Sequence, residues 1–275
     1  MTSKLGRADL HIHTLASDGT SGIVEILDRV ERETDLDVIA ITDHERIDAA
    51  LAARTIARDR ALRAEVIVGE EVSTLGGHLL ALFIEERVRP LRSLGTTIGE
   101  IHEQGGLAIP AHPLVPYPLC AQGWVLRRLI HGPDPRVRPD AIEAFNPTTL
   151  GRPWHSRVVR FAAENGLPTV GNSDAHEATA IGVGWTTFPG RTADDLRTAI
   201  MEGTTRHHGS FHGTGQVMTF GRQLRKYSRD AGAIVRAQVR RDGSGRDLGY
   251  PGGAQRPTRF EEEWAALQAR EERRS

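Results

Sequence analysis

The chain has one cysteine, Cys120, in 275 residues. This excludes an intramolecular disulfide framework and a metal cluster built from cysteines alone, so any metal must be held by histidines and carboxylates. No run of 18 apolar residues occurs, and residues 1–7 lack the apolar core of a secretory leader. A cytoplasmic protein without membrane contact is the expectation. An excess of one charge is also missing, with 35 Lys and Arg against 36 Asp and Glu. The balance is uneven along the chain. Residues 204–275 carry 14 basic and 8 acidic residues, a balance of +6, which leaves 21 basic and 28 acidic residues, −7, in 1–203.

What is present is ordinary in bulk: 39% hydrophobic and 26% charged residues, as in globular proteins. The length suits one large α/β domain, or a domain with an appendage. Short uninterrupted apolar runs alternate with stretches of helical periodicity. Strands are expected at 4–10, 38–41, 65–69, 79–83, 107–109, 141–145 and 168–170. Helices are expected at 21–33 with Ser21 as N-cap, 47–60, 93–104, 155–165 and 192–202, with a short one at 124–130. Gly76-Gly77 reads as a hairpin break, while Gly166 and Gly203 close helices. Such alternation predicts βαβ units around a parallel sheet.

The twelve histidines are not scattered. His11, His13, His44, Glu71, His78, His112, Asp174 and His176 all lie at or near strand ends, where α/β folds place their sites. His11 and His13 stand two apart at a strand end, so both imidazoles point to one side and can share a metal ion. Asp43 is expected to orient His44 or to cap a turn, and Glu70 to face away from its neighbour Glu71. His102 and His131 read as surface or packing residues, and His207, His208 and His212 as part of a loose solvated segment.

Taken in order, Asp9-Leu10-His11-x-His13, Ser17-Asp18-Gly19, Thr42-Asp43-His44, Gly69-x-Glu71-x-Ser73, Pro110-x-His112-Pro113 and Asn172-Ser173-Asp174-x-His176 resemble the four-motif signature of the PHP (polymerase and histidinol phosphatase) family. The resemblance covers residues 8 to about 203. It implies an α/β fold, a distorted (βα)7 barrel of PHP type with a C-terminal extension. It also implies hydrolysis of a phosphoester by a metal-activated water, with two or three divalent transition-metal ions (Mn, Zn or Fe) as cofactors. Carried over by motif, one ion would sit among His11, His13, Glu71 and Asp174. A second would share Glu71 and add His78 and His112; a third would take Asp18, His44 and His176. Glu71, Asp174 and His176 are also the expected catalytic residues.

Arg152, His155 and Arg157, with Asn146, are candidate substrate contacts, since cationic groups at a barrel mouth suit a phosphate. The alternative for them is helix N-terminal packing. The domain expectation is a metallo-phosphoesterase barrel over 1–203 and a basic, Gly-rich extension over 204–275. Residues 184–188 and the 192–202 helix look like the ending found in stand-alone members. The expected partner is a small phosphorylated substrate, with nucleic acid ranked behind it because the acidic barrel offers no basic track. A nuclease acting on nucleic-acid ends, and a non-catalytic metal-stabilised partner module, are the alternative functions.

Overall fold

The computed structural model describes residues 5–117, 119–147 and 154–211. His212 and the rest of the expected Gly-rich extension lie outside the described residues. The elements run β1 (Leu5–Ile12), α1 (Ile23–Glu33), β2 (Val38–Ile41), α2 (Asp48–Asp59), β3 (Glu65–Thr74), β4 (Gly77–Leu82), α3 (Leu94–Glu103) and β5 (Leu107–Pro110). After these come α4 (Gly123–Ile130), β6 (Ile142–Phe145), α5 (His155–Asn165), β7 (Thr169–Gly171), β8 (Gly184–Pro189), α6 (Ala193–Glu202) and β9 (Arg206–Gly209). Each helix owes its position to an apolar stripe. In α1 the buried residues are Ile23, Ile26, Leu27 and Val30, the i, i+3, i+4, i+7 face of an amphipathic helix.

Helix ends follow the sequence with one exception. Gly166 and Gly203 end α5 and α6 in the left-handed conformation, at φ 64° and 70°. Thr192 and Asp195 form a reciprocal capping box at the start of α6. Ser21, however, does not cap α1. Gly22 holds that position, and the Ser21 hydroxyl instead accepts the backbone N–H of Ala178 across the fold, at 3.0 Å. A tertiary partner outcompetes the local one.

Seven strands form one sheet in the order β5-β4-β3-β2-β1-β8-β9, and β6 and β7 pair separately. Within the larger sheet only the β1–β2 and β2–β3 pairs are parallel; β3–β4, β4–β5, β1–β8 and β8–β9 pair antiparallel. The sheet is therefore mixed, not parallel as expected. For β4 the reason is local. Two residues separate β3 from β4, far too few for a crossover, and Gly77 takes φ +116° in the turn.

The sheet curls into a half-barrel, and the β6–β7 pair stands across its open side. On one seam the Asp140 N–H donates to Ala108 O at 3.0 Å. The Asp140 carboxylate in turn accepts the Ala108 N–H at 2.7 Å and holds His102 Nε2 at 2.9 Å. On the other seam Thr186 Oγ1 bonds both Gly171 N and Gly171 O at 2.9 Å, and Ile12 bridges Ala175 in parallel. Inside lies one apolar core that includes Leu10, Val38, Ile67, Leu80, Leu82, Ile109, Val170, Phe188, Leu196 and Ile200. Each such side chain contributes about 1.5–3 kcal/mol by burial. Among the described residues no helix is long and apolar enough to cross a membrane.

Candidate metal centre

The polar cluster sits at or just past the ends of β1, β2, β5 and β7 and on the β3–β4 hairpin, where β3 runs on to Thr74 beyond the expected end at 69 and so carries Glu71 within it. His11 belongs to β1, His13 follows it, and their ring centroids are 5.0 Å apart. Their Nε2 atoms lie 3.2 and 3.3 Å from Glu71 Oε2, and 3.4 and 3.3 Å from Asp174 Oδ1. The shared side that their spacing demanded is thus a shared pair of carboxylates.

Glu71 divides its two oxygens. Oε2 faces His11, His13 and, at 3.4 Å, His44 Nε2. Oε1 faces His78 Nδ1 at 2.7 Å and His112 Nε2 at 3.1 Å. Asp18, on the loop after β1, has Oδ2 3.0 Å from His176 Nε2 and 3.6 Å from His44 Nε2. Asp174 and His112 both stand at positive φ, 52° and 30°. Strained positions of this kind are held where the surroundings over-determine them, commonly at sites.

All nine expected ligands converge. Their donor atoms form four groups, each within 4.8 Å: His11 with His13 and Asp174; His13 with His44 and Glu71; His13 with Asp18 and His176; Glu71 with His78 and His112. Two further facts bear on whether metal ions fit here. His11 Nε2 and both ring nitrogens of His13 are buried without a hydrogen-bond partner, a costly state for a polar atom. The carboxylate oxygens surround them at coordination-like approach, out of hydrogen-bond alignment. The donor set of imidazoles and carboxylates suits Zn, Mn or Fe. The residues fit divalent ions.

The electrostatics follow from burial against opposite charge. Burial alone would push the Glu71 carboxyl up, but His78, His44 and His11 hold it well below the usual range. Asp174 and Asp18 are held down in the same way, chiefly by His11 and His176 respectively against the effect of burial. For His176, burial favours the neutral ring, yet Asp18 and Asp174 raise its pKa to about 9. In His78 burial wins, with His44 and His112 adding to it, and the pKa falls to about 4 despite Glu71.

A second layer holds the ligands. Asp43 caps the turn at residues 14–17, accepting Thr14 N and Thr14 Oγ1 at 2.7 Å each and the Ser17 hydroxyl. Asp9 accepts the backbone N–H groups of Ser173 and Gly182 at 3.0 and 2.8 Å, and burial raises its pKa to about 6. Glu70 faces away from Glu71, as expected, and accepts Val88 N at 2.8 Å. The residue that sequence reasoning missed is Glu143. It is fully buried and touches His11 Nδ1, Asn172, Asn146 and the His112 backbone. Its signal was a lone carboxylate inside the apolar run 141–145, one turn of chain before Asn146.

The expected substrate contacts divide. Asn146 Nδ2 reaches Asp174 Oδ2 at 3.2 Å. His155 donates through Nδ1–H to Ala144 O at 2.8 Å and packs its ring on Phe145, His207 and Phe211. Arg157 is exposed and stacks over Trp154 at 4.4 Å, and Arg152 lies outside the described residues. His207 and His208 are not in a loose segment. Both belong to β9, where His207 Nδ1 meets Thr169 Oγ1 at 3.0 Å and His208 stacks on Trp185. The contacts across to β7 and β8 explain the order.

Residues 152–205 match the model of the PHP-associated family PHP_C. An uncharacterized protein of Methanocaldococcus jannaschii is 35% identical over 120 residues, which are 40% of this chain and 69% of that one. The chain belongs to the PHP family. Two solved structures share its fold. A two-domain protein of Bacteroides vulgatus containing a predicted PHP-like metal-dependent phosphoesterase matches with TM-score 0.62 and 19% identity over 76% of this chain. The PHP chain spans 66% of that protein's length. A lesion-specific endonuclease of Pyrococcus furiosus matches with TM-score 0.52 and 16% identity, over 74% of this chain and 58% of that one. At these identities the likeness is one of fold.

Proposed function

We propose that this PHP protein is a cytoplasmic metal-dependent phosphoesterase whose substrate is a phosphomonoester of a small molecule or nucleotide. The observation that carries the reading is the convergence of nine ligand-type side chains into four adjoining groups, five of the imidazoles facing Glu71. In this reading His11, His13, Glu71 and Asp174 hold one ion, Glu71, His78 and His112 a second, and Asp18, His44 and His176 a third. Bound there, the ions polarise a phosphoryl oxygen and make water nucleophilic near neutral pH. Six neutral imidazoles and three carboxylates give −3; two or three divalent ions bring that to +1 or +3, a match for a phosphate dianion.

Glu71, Asp174 and His176 then flank the reacting atoms, and Asn146 holds Asp174 in place. Arg157 on α5, together with Arg152 and His155, completes the proposed set of phosphate contacts. The same reading takes residues 1–203 as a distorted (βα)7 barrel and 204–275 as a C-terminal extension; β9, within 204–211, pairs with β8.

One observation favours a second reading, action at nucleic-acid ends. Arg127 and Arg128 on α4 and Arg157 and Arg160 on α5 are exposed, and Trp124 beside them is 70% exposed. Arginines interleaved with an open aromatic ring suit a single strand. The deciding test is turnover by the metal-loaded full chain of nucleotide and sugar phosphates against phosphodiesters and labelled oligonucleotides. Faster release of phosphate from the small monoesters is expected. Efficient oligonucleotide cleavage with none on small monoesters would overturn the proposal in favour of the second reading.

A further inference from the structure

We infer that Glu143 is a positioning residue that sets the tautomer of His11 and ties the two sides of the metal centre together, an inference that rests on the metal-site reading above. Glu143 lies on β6, a strand outside the seven-stranded sheet that supplies none of the nine ligands. Its carboxylate is nonetheless fully buried against them. Oε1 meets His11 Nδ1 at 3.0 Å and Asn172 Nδ2 at 2.8 Å. Oε2 accepts His112 N at 2.6 Å and Asn146 Nδ2 at 3.0 Å. The two amides and the backbone N–H are donors, and a carboxylate can only accept, so His11 Nδ1 carries the proton.

That has a direct consequence at the other end of the ring. With Nδ1 protonated, the lone pair of His11 sits on Nε2, the atom that faces Glu71 and Asp174. Asn146 extends the same hold to Asp174, since its Nδ2 lies between Glu143 Oε2 and Asp174 Oδ2. The bond to His112 N steadies a residue kept at φ +30°. One carboxylate therefore orients His11 by its ring, Asp174 through an amide and His112 by its backbone. The first two belong to one ligand group, the third to another.

Glutamine cannot replace it. An amide turns one of the two acceptor oxygens into a donor, which then opposes either His11 Nδ1–H and Asn172 or His112 N–H and Asn146. Aspartate keeps both oxygens but withdraws them by one methylene. Glu70 supplies the control: it is equally buried and adjacent to Glu71 in sequence, but it bonds Val88 N and faces away.

The test uses the full-length protein, stripped with chelator and reloaded with Co2+, followed by visible absorption and a binding titration. Glu143→Gln is expected to weaken Co2+ binding about 10–100-fold and to change the absorption bands. Glu70→Gln should keep the wild-type spectrum even where it lowers thermal stability. Wild-type protein that binds no Co2+ would overturn the metal-site reading itself. Wild-type binding with Glu143→Gln unchanged in affinity and spectrum would overturn the role of Glu143 alone. Should Glu143→Gln fail to fold, Asn146→Ala reads the same linkage: weaker Co2+ binding supports it, and unaltered binding overturns it.

Discussion

Replacing Glu71 by glutamine should remove most of the stability that metal ions give this protein. Glu71 is buried, and five imidazoles approach its two oxygens at 2.7–3.4 Å. A divalent ion present at a hundred times its dissociation constant stabilises the folded state by about 2.7 kcal/mol. For a folded unit of this size, 1 kcal/mol moves Tm by about 2–4 °C, so one ion is worth about 5–11 °C. Two ions sharing Glu71 are worth roughly 10–20 °C on the same arithmetic. Glutamine keeps the volume but presents one oxygen and one NH2, so at least one of the two ions loses its ligand. The assay is thermal unfolding of chelator-stripped protein with and without added Mn2+ or Zn2+, paired with elemental analysis. Taking the metal-induced rise in Tm, and not Tm itself, cancels any effect of the substitution on the metal-free fold. The rise should fall by half or more. An equal rise in wild type and Glu71→Gln would refute a shared role for Glu71.

Two further expectations concern the surroundings. Arg157→Ala should raise KM by roughly tenfold, the worth of one charge-assisted hydrogen bond, with metal content unchanged; identical kinetics would leave Arg157 only its stack on Trp154. The seam between β5 and β6 should loosen at high pH. Asp140 hydrogen-bonds His102 and raises its pKa above the ordinary 6.5, outweighing burial. A raised histidine stabilises fully below its unfolded pKa and loses that contribution as pH climbs through the folded value. The stability gap between wild type and His102→Gln, from urea midpoints, should therefore be larger at pH 6 than at pH 9; a gap independent of pH would count against the clasp.

The ligands were legible in the sequence because metal chemistry restricts residue type and strands restrict position. His11 and His13 could share a carboxylate pair only if they left a strand on one side, and a spacing of two does that. Helix ends at Gly166 and Gly203 were legible for a similar reason, since few residues tolerate the left-handed conformation. Glu143 was not legible as a partner of His11, because the two are 132 residues apart and meet only when β6 is set against the open side of the sheet. Ser21 shows the converse. Its local signal was a helix cap, and a contact with Ala178, 157 residues away, overrode it.

The sequence by itself supplied the inventory of ligand-type side chains and their order, and the family resemblance grouped them into expected ion sites. Residue type and chain order suffice for the inventory, because they are local. Tertiary structure alone decided that β5, β8 and β9 pair antiparallel with their neighbours, that His207 and His208 are strand residues, and that one buried carboxylate on β6 faces four nitrogen groups. Those outcomes depend on which distant backbone and side-chain groups satisfy one another once water is excluded, and no short window of sequence contains both partners.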